Sequence, residues 1–209
     1  NDFILSTFEM TAGLSRMKTW TGGFTYNDAF RPSDMNETWD LAYAQILPDV
    51  ALMESLGDET AFGIHKGASQ IMKAYVLVTL VDLFGDVPFS EAGQGTDFIS
   101  PRPDAGASVY EAAREILEAA KAHLKQPNQA VPGSDLYFRG NAEKWLTLAN
   151  SLELKMLVQT RLVNPNAKDE INELLSEGDL IDDEYEDFEF TFNRSIAPDS
   201  RHPLYVNMY

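Results

Sequence analysis

The residues best suited to bind a ligand lie between Trp20 and Arg31, where aromatic and hydrogen-bonding side chains are interspersed. Aromatic rings can lie against the apolar faces of sugar rings, while Asn, Asp and Arg can hydrogen-bond sugar hydroxyls. Ligand contacts are also common in loops, and this stretch precedes the first well-defined helix. The predicted ligand-binding residues are Trp20, Phe24, Tyr26, Asn27, Asp28 and Arg31. The alternative is that Trp20, Phe24 and Phe30 fill a hydrophobic core.

Catalytic constellations are not apparent. The histidines, His65, His123 and His202, are far apart, and none has a metal-ligating partner at i, i+4 spacing. We expect His65 and His123 to lie at helix surfaces. The chain has no cysteine and no nucleophile-elbow, phosphate-loop or dinucleotide motif, and its 33 acidic residues nominate no hydrolytic pair. The sequence therefore predicts no catalytic residue, no metal site and no cofactor.

An acidic run near the C-terminus has two interpretations. Clustered carboxylates could hold calcium, but the glycine and terminal glutamate of an EF-hand loop are missing. The interleaved aromatic residues favour extended segments with acids on the solvated side and aromatics on the other. The acids are Asp179, Asp182, Asp183, Glu184, Glu186, Asp187 and Glu189, and the aromatics are Tyr185, Phe188, Phe190 and Phe192.

Composition limits the class of partner. The 209 residues are 44% hydrophobic, which suits one globular domain, or a large part of one, with a real core. The net charge of -17 makes nucleic acid an unfavourable partner, because contact would add repulsion. No apolar run of membrane-spanning length is expected, since Tyr75–Phe84 is interrupted by Asp82. The chain begins at Asn1 without an apolar leader, so a signal peptide is either absent or removed.

Hydrophobic periodicity predicts a mostly helical chain. A buried helix over Ile64–Phe84 should end at Gly85, because glycine permits a left-handed turn and Pro88 excludes further helix. A second long helix should start after Asn141, a favourable N-cap, and end near Arg161. Further helices are predicted over Ile4–Leu14, Trp39–Leu56 with a kink or break at Pro48, Ser108–Leu124 with a Ser108/Glu111 capping box, and Lys168–Glu177. The Pro/Gly-rich segment Gly85–Ala107 is long enough to be functional or packed against the molecule.

Two sequence blocks carry a family resemblance. The chain reads Leu-Phe-Gly-Asp-Val-Pro at 83–88 and Lys-Trp-Leu-Thr-Leu-Ala-Asn-Ser-Leu-Glu-Leu-Lys-Met at 144–156, preceded by Trp39-x-x-x-Tyr43. In this order the blocks resemble the SusD/RagB family of outer-membrane nutrient-binding lipoproteins from Bacteroidetes, over roughly Trp39–Leu162. The resemblance implies a mostly α, SusD-like fold with irregular tetratricopeptide-like helix pairs at about 37–84 and 108–163, long loops and minor short strands. It also implies that residues 1–209 form a single SusD-like domain, incomplete at both ends.

The resemblance implies a function as well. Such a protein would be a non-catalytic, lipid-anchored protein of the outer membrane and cell surface, with the N-terminal anchor absent from this chain. It would capture a nutrient, an oligo- or polysaccharide by first preference, for import through a SusC-like TonB-dependent transporter. Aromatics on helical stripes, namely Trp39, Tyr43, Tyr75 and Trp145, are assigned to packing. A tetratricopeptide-like protein–protein adaptor and a glycoside hydrolase are the alternatives.

Overall fold

Helices dominate the computed structural model, which describes residues 2–17, 32–55, 60–177, 179–195, 201 and 205. Within these residues the α-helices are α1 (Asp2–Leu14), α2 (Asn36–Trp39), α3 (Leu47–Glu54), α4 (Gly63–Phe84), α5 (Gly106–Leu124), α6 (Ala142–Thr160) and α7 (Ala167–Glu177). Two short strands, β1 (Val87–Pro88) and β2 (Pro103–Asp104), pair antiparallel with Val87 opposite Asp104. The predicted mostly α fold with minor short strands is confirmed.

Helix α4 is the centre of the molecule, because hydrophobic clusters form on two of its sides. Ile71, Ala74 and Val78 pack with residues of α5 and α6. Val76 and Leu77 pack instead with α1, the helical segment before α3 and the start of α5. The helix ends as predicted at Gly85, whose φ of 80° is left-handed and whose N–H donates to the Val81 carbonyl at 2.8 Å.

The two-sided burial of α4 also explains a departure from expectation. By length and composition alone, Gly63–Phe84 is apolar enough to cross a membrane, although no run of that length was expected. A helix covered on opposite sides must be apolar around much of its circumference, so a central helix passes the same test as a membrane span. The buried positions of α4 within this fold account for its composition.

Helices α4 and α5 approach each other closely. A Cβ on Gly63 would lie 2.5 Å from the His123 carbonyl oxygen, and one on Gly67 would lie 2.5 Å from Leu124 Cγ. Ala113 and Ala120 on α5 are fully buried in the same cluster. Helix α4 makes its most extensive packing contact with α5, while α3–α4 and α5–α6 also pack together. Small residues therefore set the distance between the two central helices.

The start of α5 differs from prediction. Helix α5 begins at Gly106, and the Ser108 hydroxyl donates to the Ala105 carbonyl at 2.7 Å, so the predicted Ser108/Glu111 capping box is wrong. Asp86 performs this role, because its Oδ1 accepts the Gly106 N–H at 2.9 Å. Its carboxylate satisfies one of the free donors of the helix and favours the positive end of the helix dipole. The turn that ends α4 therefore caps α5.

The predicted disruption at Pro48 takes a specific form. The chain stays helical from Asn36 to Glu54, and Asp40–Ile46 is a π-helical segment between α2 and α3. The Leu47 N–H donates to the Ala42 carbonyl, five residues earlier, and Pro48 occupies the first turn of α3. Proline lacks an N–H and is tolerated at a helix start, so the wider segment accommodates it without a break.

Helix α6 begins where Asn141 predicts. The Asn141 side chain accepts the N–H groups of Glu143 and Lys144 at 2.9 and 3.1 Å. The predicted helices over Ile4–Leu14 and Lys168–Glu177 are also confirmed, as α1 and α7. Local capping and periodicity were sufficient for these three elements.

Asp135 holds the turn before α6. Its carboxylate accepts the backbone N–H groups of Tyr137, Phe138 and Gly140 at 2.7–3.1 Å, and Trp145 Nε1 at 2.8 Å. Burial raises the pKa of this carboxyl, but the four hydrogen bonds outweigh burial and hold the pKa below its ordinary value. One charged group thus joins the turn to the buried Trp145 ring.

Replacing Gly67 with alanine tests the close helix contact. The new methyl would meet Leu124 Cγ at 2.5 Å and the Ala120 carbonyl oxygen at 3.0 Å. Overpacking should outweigh the helix propensity of alanine and lower the free energy of unfolding by about 1–2 kcal/mol. Urea unfolding measures this change, with Gly133→Ala as control because nothing lies within 4 Å of its added Cβ. A Gly67→Ala protein as stable as the wild type would contradict this contact.

Replacing Asp135 with asparagine tests the anchored turn. The amide cannot accept all four donors, so we expect a loss of about 1–3 kcal/mol at neutral pH. Because the folded-state pKa is depressed, the stabilisation is full above the ordinary value of about 3.9 and is lost as pH falls toward the folded-state pKa. The difference from wild type should therefore shrink in acid. Urea unfolding across pH measures it, with the exposed Asp187→Asn as control. If the free energies of unfolding of wild type and Asp135→Asn differed by the same amount at every pH, the role assigned to the Asp135 carboxylate would be refuted.

Candidate ligand-binding cleft

The ligand-binding residues predicted from sequence lie outside the described part of the chain. Trp20, Phe24, Tyr26, Asn27, Asp28 and Arg31 all fall within residues 18–31. They remain a prediction. The described residues do contain the second region singled out from sequence, the long segment Gly85–Ala107, and a cleft lies between this segment and the helical residues that precede α3.

The segment between α4 and α5 is held by hydrogen bonds along its length. The carboxylate of Asp104 accepts the N–H groups of Phe89 and Ser90 at 2.8 Å each and the Ser90 hydroxyl at 2.7 Å. Glu91 accepts the Arg102 backbone N–H at 2.8 Å and its guanidinium at 2.6 and 2.9 Å. These contacts, with the β1–β2 pairing, join the two ends of the segment. The cleft therefore has an ordered wall.

The same contacts set the charge states of the wall. Hydrogen bonds from the Arg102 side chain and backbone hold the pKa of Glu91 below its ordinary value. Hydrogen bonds from the Ser90 backbone and hydroxyl do the same for the pKa of Asp104, against a smaller opposing effect of burial. Both carboxylates are ionised at neutral pH and are directed at partners within the segment.

Aromatic rings form much of the cleft surface. The cleft has a volume of about 440 Å³, and its lining includes Trp39, Tyr43 and Phe98. The Trp39 and Tyr43 rings are stacked, with centroids 5.0 Å apart and planes inclined by 14°. Trp39 also contacts the Phe84 ring at 5.0 Å, and both Trp39 and Tyr43 pack on the cluster around α4. Their predicted packing role is confirmed, but they line a cavity as well.

Tyr43 connects the helix to the loop wall. Its hydroxyl donates to the Pro88 carbonyl at 2.7 Å, so it crosses from the π-helical segment to β1. Burial raises the pKa of Tyr43 far above its ordinary value, and the nearby Asp104 charge adds to this increase. The hydroxyl therefore remains a neutral donor, and it fixes the orientation of a ring that lines the cleft.

The described lining of the cleft carries groups that can bind a ligand. Flat rings can cover the apolar face of a sugar, and Asp40, also in the lining, can accept hydrogen bonds from hydroxyls. Glycoside hydrolysis needs two carboxyl groups across the scissile bond. Among the described lining residues, Asp40 supplies one carboxylate and no second acid accompanies it. Binding through stacking and hydrogen bonding is what this arrangement supports.

Two other cavities are less suitable. One lies between α5, α6 and α7, where Lys121 pairs with Glu118 and Glu153 while Arg114 pairs with Glu170 at 2.8 Å. Most of these charged side chains therefore form ion pairs with one another. The second is an apolar groove between α4 and α6, lined by residues such as Ile71, Met72, Leu148 and Phe188. Its surface has few polar groups to orient a ligand.

Of the three histidines considered from sequence, His202 lies outside the described residues, whereas His65 lies on α4 and His123 on α5. His123 Nδ1 lies 2.8 Å from Gln70 Oε1, and His65 packs edge-on against Phe62 at 5.6 Å. Both histidines are half-buried, and His123 contacts a side chain of α4. No group of three potential metal ligands occurs within the described residues.

The acidic run partly follows the favoured interpretation. Asp187 and Glu189 are exposed, whereas Phe188 and Phe190 are half-buried, and the Phe188 ring stacks on Tyr137 with centroids 4.3 Å apart. The alternation is confirmed there. Tyr185 departs from it, because the chain forms a 3-10 turn at Glu184–Glu186 and leaves that ring 76% exposed.

Replacing Asp104 with asparagine tests whether its carboxylate orders the cleft wall. The amide cannot accept all three donors, so we expect faster amide hydrogen exchange at residues 87–104. The transition temperature of the whole protein should change little, because the helical core is untouched. Asp97→Asn is the matched control, since Asp97 lies exposed in the same segment. Unchanged exchange in Asp104→Asn would show that other contacts suffice.

Known proteins share this fold. The chain is similar to a solved "Bacteroidetes AC2a SusD-like" protein at 26% identity and a TM-score of 0.69, covering 79% of this chain and 31% of that one. It is similar to a "susd/ragb family protein" of Bacteroides thetaiotaomicron at 20% identity and a TM-score of 0.67, covering 78% of this chain and 34% of that one. A "chitin-binding SusD homolog" of Flavobacterium johnsoniae is also similar, at 19% identity and a TM-score of 0.63, covering 73% of this chain and 33% of that one.

The chain spans about a third of the length of these structures. A search of curated proteins found no match. The family model SusD-like_2, described as "Starch-binding associating with outer membrane", matches residues 7–205. This match covers nearly the whole chain and agrees with the helical architecture and with the two sequence blocks around Gly85 and Trp145. The protein belongs to the SusD-like family.

Proposed function

We propose that this protein captures a glycan at the cell surface without chemical conversion and delivers it to a SusC-like TonB-dependent transporter in the outer membrane. The observation that carries the glycan part is the cleft lined by the stacked Trp39 and Tyr43 rings and by Phe98. Family membership supports the surface location, since the family description links starch binding with the outer membrane. A lipid anchor outside this chain would hold the protein there.

The geometry supports sugar capture in two respects, and the comparisons suggest a first probe. The stacked rings are fixed before a ligand arrives, because Tyr43 is tied to Pro88 and Trp39 rests on Phe84. Preorganised rings reduce the entropic cost of binding. The opposite wall is an exposed, hydrogen-bonded loop that a long polymer can reach. Two chitin-binding proteins share the fold, so chitin oligosaccharides are a reasonable first probe.

The segment containing Trp20, Phe24, Tyr26, Asn27, Asp28 and Arg31 is proposed as a second contributor. It joins the described chain at Pro32, shortly before Trp39 in sequence. Its aromatic, amide and guanidinium groups suit the same chemistry as the cleft. Combined truncation of Trp20 and Phe24 should therefore weaken glycan binding, and the effect should exceed that of either single truncation.

A Phe98→Ala protein tests the cleft most cleanly. Phe98 is 39% exposed on the loop, so its truncation should spare the core. Loss of one aromatic contact should weaken glycan binding about five- to thirtyfold, corresponding to roughly 1–2 kcal/mol. Isothermal titration against a glycan identified by screening measures the change. Ile99→Ala is the matched control, because Ile99 is the next residue, is 88% exposed and does not line the cleft.

Equal affinity in Phe98→Ala and Ile99→Ala would exclude the cleft as the binding site. Absence of any glycan ligand in a broad screen of the full-length protein would reject the proposed function itself. Product analysis addresses the hydrolase alternative, because a binding protein should leave bound oligosaccharides intact over long incubation. Release of new reducing ends by the purified protein would contradict the non-catalytic role.

A further inference from the structure

We infer that the cleft discriminates among glycans by charge, favouring amine-bearing sugars over neutral ones and disfavouring sugars that carry carboxylate or sulfate groups. The inference rests on the proposed function and assigns Asp40 as the residue that determines this preference. The juxtaposition that carries it is an exposed carboxylate beside two stacked aromatic rings, in a cavity whose other described lining residues are uncharged.

Asp40 is placed where a sugar on the rings would meet it. It follows Trp39 directly and begins the π-helical segment that also carries Tyr43. Its side chain is exposed and belongs to the cleft lining. The remaining described lining consists of aromatic, alanine, glycine and proline residues, and Tyr43 stays neutral because its pKa is strongly raised. The charge inside the described cleft is therefore negative.

Within the described residues, the surroundings of the cleft do not compensate that charge. Arg102 is a cation on the loop wall, and its guanidinium is bound by Glu91 Oε1 at 2.6 and 2.9 Å, while Glu91 Oε2 accepts its backbone N–H. Asp104, in the same wall, is ionised and adds a second negative charge nearby. At the scale of the whole chain the net charge is -17. An anionic sugar entering the cleft would face repulsion at contact distance and in the longer-range field.

The same arrangement attracts a protonated amine. An ammonium group between Asp40 and the ring faces would gain both a carboxylate partner and cation–π contacts with Trp39 and Tyr43. Neutral sugars keep the stacking and lose only the charge contribution. The expected order of affinity is therefore amine-bearing, then neutral, then carboxylate-bearing, and salt should narrow the differences because the cleft is open to solvent.

A matched ligand series tests this order. Oligosaccharides of amylose and of cellulose are prepared with an amine, a hydroxyl or a carboxylate at C6, so that only charge varies on a given backbone. Binding to the full-length protein is measured by titration calorimetry at low and high salt, together with a broad screen of natural glycans. We expect the affinities of successive charge forms to differ at least fivefold at low salt and by a smaller ratio at high salt.

Two variants assign the effect. Asp40→Asn should reduce the ratio of amine to carboxylate affinity at least fivefold, because the amide keeps the shape and removes the charge. Asp97→Asn removes one negative charge from an exposed position on the loop wall, outside the cleft lining. The ratio of amine to carboxylate affinity should therefore stay near that of wild type. Equal losses of selectivity in both variants would overturn the assignment to Asp40.

The outcomes separate the inference from the proposed function. Binding of all three charge forms with equal affinity, or preference for the carboxylate form, overturns the charge inference and leaves glycan capture standing. No binding of any natural or modified glycan overturns glycan capture, and the inference falls with it. The predicted order with selectivity reduced in Asp40→Asn supports both.

Discussion

The close contact between α4 and α5 is the constraint on which the rest of the structure depends. Gly63 and Gly67 leave no room for a side chain, so the two helices lie at a distance fixed by backbone and by Leu124. This contact places the end of α4 beside the start of α5, where Asp86 can reach the Gly106 N–H. The long segment between them therefore starts and finishes at one point, and the cleft wall is built on that base.

The second determinant is the π-helical segment before α3. Pro48 removes a backbone donor, and the chain responds by widening the helix over Asp40–Ile46 instead of ending it. Trp39 directly precedes this segment and Tyr43 lies within it, with their rings stacked, while Asp40 lies exposed between them in sequence. A backbone irregularity thus groups two rings and a carboxylate at one surface, as π-helical turns often do at functional sites.

Local signals predicted the helices well, because the determinants of α4 and α6 lie within their own sequences. Gly85 and Asn141 fix an end and a start through backbone conformation and a side-chain cap. The start of α5 could not be found in this way, since its cap comes from Asp86, twenty residues earlier. The cleft was missed for a related reason. Trp39 and Tyr43 show a core-like helical spacing, and only the folded loop reveals that they also border a cavity.

The cap by Asp86 has a consequence for how such proteins can diversify. Because Asp86 and the β1–β2 pair close the base of the loop, the residues between them bear little of the helical framework's stability. Loop length adds only slowly to the entropic cost of closure. Substitutions or insertions in the loop between β1 and β2 can therefore alter the surface of the cleft while the helix junction stays intact. The junction therefore allows the cleft surface to vary independently of the helical framework.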